Sequence, residues 1–117
     1  MNFRILFLSL LMLGCFGVFD MRYMCEHSPD PDIRDRCFST LALRYDNTTI
    51  CKEVQNSTLS EYCMMRVAIS TLSLSDCNGM KTLREQCMHV VMGLQENNSL
   101  VCRLIEDNDT ASLCMMR

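Results

Sequence analysis

The chain has 117 residues and a net charge of −3, from eleven Lys and Arg against fourteen Asp and Glu. That length suits one domain and is too short for a two-domain enzyme with a cofactor-binding half, and the acidic balance leaves no electrostatic footprint for nucleic acid. Nine cysteines point to a disulfide-stapled exported domain, while four glycines, two prolines, eleven methionines and no tryptophan exclude collagen-like and low-complexity chains and lean towards helix.

Residues 1–20 read as an export signal or a lipid or membrane anchor. Arg4 supplies a positive start, Ile5 to Leu13 form an apolar run broken only by Ser9, and Gly14 and Cys15 follow. The stretch Leu11 to Cys15 resembles a prokaryotic lipobox, in which signal peptidase cuts before a cysteine that then carries lipid, and this makes Cys15 the lipidation site. A cleaved signal cut near Gly17 and an uncleaved anchor are the other readings. The uncleaved anchor is handicapped by length, because Ile5 to Phe19 is 15 residues and a spanning helix needs about 20. Each reading places residues 21–117 outside the cytoplasm, secreted or tethered to the membrane through the N-terminus.

Within residues 21–117 eight cysteines remain: Cys25, Cys37, Cys51, Cys63, Cys77, Cys87, Cys102 and Cys114. Their separations of 12, 14, 12, 14, 10, 15 and 12 alternate short and long, a repeat with a period near 26 residues. The first main helix is expected to start at the cap residue Asp32 and carry Ile33, Cys37, Leu41 and Tyr45 as its apolar stripe. The second starts at Thr58 with Leu59, Cys63 and Val67, the third at Thr82 with Leu83, Cys87 and Val91, and the fourth at Asp109 with Cys114. Thr58 with Glu61, and Thr82 with Glu85, read as capping boxes. Phe38, Met64, Met88 and Met115 widen the stripe by one position.

Polar turns at Asp46-Asn47, Ser73 and Asn97-Asn98 are expected to end the main helices. Short helices follow, with an apolar residue three positions after their cysteine: Val54, Met80 and Ile105, with Ser28 as the exception. The expected fold is all-α: short antiparallel helix pairs, long then short, stacked like an α-solenoid and stapled by four disulfides. The sequence ends soon after Cys114, so the last main helix is short, and its apolar side is expected to dock a partner or a second copy.

Eight cysteines allow 105 connectivities. In an antiparallel hairpin, bonded residues lie equidistant from the turn. The midpoints of the short steps fall at Pro31, Ser57, Thr82 and Asn108, in or beside turns, which favours Cys25–Cys37, Cys51–Cys63, Cys77–Cys87 and Cys102–Cys114. The competing pairing, beginning with Cys37–Cys51, centres on helical points such as Arg44 and Ser70 and strands Cys25 and Cys114.

The run Asp32 to Phe38, followed by Ala42 and a later cysteine with an apolar residue three positions on, resembles a cysteine-rich helical repeat of archaeal and some bacterial secreted proteins and lipoproteins. The resemblance covers Cys25 to Arg117. It implies an exported helical array and no particular reaction or ligand. This chain departs from the pattern at Ser28 and in the shortened Cys77–Cys87 step.

Catalytic and metal-binding patterns are sparse. His27 and His89 are the only histidines, neither at a zinc spacing, and there is no Gly-x-Ser-x-Gly elbow, P-loop or Cys-x-x-Cys. No enzyme activity and no cofactor are expected. The expected role is a non-enzymatic scaffold or interaction module for an envelope or extracellular protein, with no nucleic-acid partner. The alternative is soft-metal binding, in which Met65, His89 and Met116, one position off the methionine column, would hold Cu(I); a secreted effector or toxin-like protein is a third. Sequons mark Asn47, Asn56, Asn97 and Asn108 as glycosylation candidates.

Overall fold

The structure is a computed structural model that describes residues 17–117. Cys15 and the lipobox therefore lie outside the described residues. Among those described, every regular element is helical: α1 (Gly17–Glu26), α2 (Pro31–Arg44), α3 (Thr48–Cys51), α4 (Ser57–Thr71), the 3-10 helix η1 (Leu74–Cys77), α5 (Arg84–Gln95), the 3-10 helix η2 (Ser99–Leu104) and α6 (Asn108–Met115). No described helix is long and apolar enough to cross a membrane. Long and short elements alternate from α2 onward, and α1 begins inside the expected leader 1–20.

Helix starts differ from expectation. The caps of α2, α4 and α6 are Asp30, Asn56 and Asp107, two residues before the expected Asp32, Thr58 and Asp109. Asp30 Oδ1 accepts from the Asp32 amide at 2.9 Å and Asn56 Oδ1 from the Leu59 amide at 3.1 Å. Asp107 Oδ2 accepts from the Thr110 amide at 3.1 Å and also from the Thr110 hydroxyl, which is fully buried. The upstream residues are equally good caps, and Pro31 at the first helical position favours the earlier start. Helix α5 follows Leu83 with no side-chain cap. The Thr58/Glu61 and Thr82/Glu85 capping boxes do not form.

Helix ends share one device. Asp46, Leu72 and Asn97 all adopt left-handed backbone (φ 49°, 54° and 61°) although none is glycine. The next amide then reaches back five residues: Asn47 N–H to Ala42 O at 3.0 Å, Ser73 to Ala68 at 3.2 Å, and Asn98 to Gly93 at 2.8 Å. These are Schellman closures. The residue that makes each closure is also the cap of the following short helix, so one turn ends the long element and starts the short one.

The core centres on α4, whose buried residues Tyr62, Cys63, Met64, Met65, Val67, Ala68 and Ile69 occupy almost every side of the helix. It packs against α2, α3, η1, α5 and α6. Contact between α4 and α6 skips over α5, so the stack winds tightly around α4 instead of touching only nearest neighbours. A smaller cluster of Cys25, Phe38 and Val54 joins the first hairpin to Ile50 and Leu59.

Val54, Met80 and Ile105 are all buried, and each amide donates to the carbonyl of the cysteine three residues earlier. The expected stripes hold less well at their ends. Ile33 is 58% exposed, Tyr45 is exposed, and Met115 is 60% exposed rather than in the core. On α2 the buried face is instead Asp35, Phe38, Ser39, Leu41 and Ala42.

Gly93 marks a close approach between α5 and η2. A Cβ there would overlap Val101 Cγ1 and lie 2.9 Å from Cγ2. Gly93→Ala is therefore expected to destabilise the fold by about 1–2 kcal/mol, since overpacking against a stiff β-branched side chain outweighs the better helix propensity of alanine. Urea titration of both proteins measures this.

Candidate functional site

The four bonds are Cys25–Cys37, Cys51–Cys63, Cys77–Cys87 and Cys102–Cys114, with Cα separations of 5.4, 5.6, 5.8 and 5.6 Å. They are the short-step pairs, each tying a main helix to the element before it. All the cysteines except Cys37, which is half-buried, are sealed in the interior.

Two carboxylates, Asp35 and the Glu61 expected to cap its own helix, bind the next hairpin. Asp35 is almost fully buried; its Oδ1 accepts from the Gln55 amide at 2.9 Å and its Oδ2 from the Asn56 amide at 3.3 Å. Glu61, two residues before Cys63 as Asp35 is two before Cys37, accepts through Oε1 from the amides of Lys81, Thr82 (2.8 Å) and Leu83 (3.5 Å). Each carboxylate thus stands about 20 residues upstream of the turn it holds and satisfies amides that precede the next main helix. In the third hairpin the equivalent residue is Glu85, and the tie is made instead by its neighbour Gln86, whose Nε2 donates to the Leu104 carbonyl. Two further ties join neighbouring turns: Ser70 Oγ to Asp46 Oδ1 at 3.3 Å and Gln95 Nε2 to Leu72 O at 2.9 Å.

These ties leave two open grooves alongside α4. One, of about 480 Å³, is lined by Asp32, Asp35, Arg36, Ser39, Thr40, Leu59, Arg66, Asp107 and Asp109, bringing the first and last main helices to one cleft. The other, of about 540 Å³, lies between the Lys52–Ser60 segment and the loop Gly79–Leu83; Val54 and Met64 are at its floor and Lys52 and Lys81 are in its lining.

Tyr62, on α4, is buried. Burial pushes its phenol up from the ordinary value, and the negative charges of Glu106 and Asp107 push it further. The folded state therefore keeps its proton where the unfolded chain, ionising near pH 10, has lost it. Stability is expected to fall as pH rises above about 10, and Tyr62→Phe to remove that part of the slope. Denaturant titrations between pH 9 and about 11 check it.

The metal candidates do not assemble. Met65 is wholly buried in the core on α4, whereas His89 is exposed on α5 and Met116, just past α6, is 83% exposed. A thioether sealed in the core and two groups in open solvent do not converge on one ion. Among the described residues, no group of three or more His, Cys, Asp or Glu is placed to hold a metal. Met65 is packing, as suits an unbranched thioether in an irregular core.

All four sequon asparagines are exposed. Asn47 and Asn56 spend their carbonyl oxygens on helix caps, which leaves the amide nitrogen, the atom a glycan uses, pointing away from the cap bond. Comparison of the chain with protein-family models, curated proteins and solved structures finds no match.

Proposed function

We propose that this protein is an exported, membrane-tethered, non-enzymatic helical-repeat module of the cell envelope that serves as a scaffold or protein-interaction surface. The observation that carries the reading is the set of four disulfides, each closing one hairpin and nearly all of their sulfur-bearing residues sealed from solvent. Bonds of this kind form and persist outside the reducing cytosol. Support for an interaction role comes from the grooves on both sides of α4: their walls are held by disulfides and by the Asp35 and Glu61 ties, so a partner meets a surface already shaped for it. The tether is the lipid expected on Cys15.

Intact mass of the protein purified from its native membrane tests the reading. The expected species begins at Cys15, carries lipid, and is eight hydrogens lighter than the reduced chain. Glycan mass on the four sequons would add to it. Eight free thiols would contradict the exported location, and an oxidised, unlipidated chain would replace the tether with secretion.

A further inference from the structure

We infer that the groove between the Lys52–Ser60 segment and the Gly79–Leu83 loop is a binding site for a short acidic peptide segment of a partner protein, with carboxylates flanking one apolar side chain. This deepens the interaction reading and rests on it. The chain contains only two lysines, Lys52 and Lys81, and both line this one groove of a protein whose net charge is −3. Both are exposed, and neither enters an ion pair among the described residues; the pairs present are Arg22 with Glu26 and Arg22 with Glu53. The groove's own carboxylate, Glu61, holds three backbone amides through Oε1 and forms no ion pair with either ammonium.

The same groove carries an apolar lining of Val54 and Met64, both buried, and of half-buried Leu83. A lining of that kind calls for an apolar side chain, which a peptide has and a sulfated saccharide lacks. Burial of that side chain supplies the non-directional part of the affinity, and the two ammonium groups set orientation and reject basic sequences. The cleft on the other side of α4 carries four aspartates against two arginines, so an acidic segment is steered to one side of the helix only.

Fluorescence anisotropy on the full oxidised chain in mild detergent tests this, using a labelled peptide of alternating Glu and Leu, the same peptide with Lys for Glu, and heparin as a competitor. Saturable binding of the Glu peptide, weakened at least tenfold in the Lys52→Glu/Lys81→Glu double variant and by raised salt, is the expected result. Both lysines are exposed, so the variant retains its fold, which mass mapping of the four disulfides verifies. Gly79→Leu, which places a side chain on the groove over Met64 where a Cβ has ordinary clearance (3.7 Å to Sδ), is expected to weaken binding without changing charge. The inference is overturned by absence of saturable binding, by binding that survives the double variant, by equal binding of the Lys peptide, or by lysine-dependent heparin binding that exceeds that of the peptide. Any of these with all four disulfides intact counts against this site alone and leaves the exported-module reading standing.

Discussion

Replacing Cys51 and Cys63 together with alanine is expected to lower stability by about 2–5 kcal/mol, enough to leave much of the chain unfolded at 37 °C. This bond joins α3 to α4, the helix that every later main helix and the first one pack upon. Its sequence separation is 12, for which the chain-entropy model gives about 3 kcal/mol. The remainder comes from the buried sulfur atoms themselves, lost from a site where Ser60 Oγ also donates to the Cys51 carbonyl at 2.7 Å. Removing Cys25 and Cys37 is expected to cost less, because that bond lies in the small peripheral cluster with Phe38 and Val54, and Cys37 is half-exposed. Circular dichroism melts of the two double variants against the parent, all without reductant, give the comparison.

The second large effect concerns the column formed by Phe38, Met64, Met88 and Met115. Sequence spacing treats the four as equivalent, but their surroundings grade from sealed to open: Phe38 is fully buried, Met64 nearly so, Met88 half-buried and Met115 mostly exposed. Phe38→Ala is expected to cost about 3–5 kcal/mol, because it empties the centre of the cluster that fastens the first hairpin to Ile50, Val54 and Leu59. It also removes the face over which the Arg34 guanidinium sits, 5.3 Å from the ring centroid. Met64→Ala is expected to cost about 2–4 kcal/mol and Met115→Ala less than about 0.5 kcal/mol. Urea midpoints for the series test the gradient; equal losses at positions 38 and 115 would mean that the last helix packs more deeply than described.

Much of the frame was legible in the sequence because it rests on local geometry. Hairpin midpoints at Pro31, Ser57, Thr82 and Asn108 give the disulfide pairs, and the apolar residue three positions after each short-element cysteine gives Val54, Met80 and Ile105 as core. Errors arose where two local solutions have nearly equal energy or where the partner is remote. Asp30 competes with Asp32, and Asn56 with Thr58, as a cap, and a spacing rule has no means to rank them. Glu61 fits a capping box at close range, yet it binds amides 20 to 22 residues away, which no short motif records.

Left-handed helix ends were hidden for a similar reason. The turn closures use Asp46, Leu72 and Asn97 where glycine would have signalled the conformation. A left-handed leucine costs about 1–2 kcal/mol, which the closure at Ser73 and the Gln95 bond to the Leu72 carbonyl help to offset. Packing of α6 on α4 was illegible as well, because a periodic sequence specifies neighbouring contacts and says nothing of how tightly the stack winds. The aspartate-bearing cleft, which takes Asp107 and Asp109 from the last hairpin, depends on that winding, so its lining residues were visible only as scattered positions.

Peptide mapping without reduction, on protein taken from its native host, is the most direct test of the central claim. Trypsin separates Cys25, Cys37, Cys51 and Cys63 onto different peptides, but it leaves Cys87 and Cys102 on one, since no Lys or Arg lies between them; cleavage at Glu96 is also needed. The account predicts four linked pairs: residues 23–34 with 37–44, 45–52 with 53–66, the Cys77 peptide with the Cys87 peptide, and the Cys102 peptide with the Cys114 peptide. A linkage between 37–44 and 45–52, or recovery of these peptides as unlinked thiols, would contradict it.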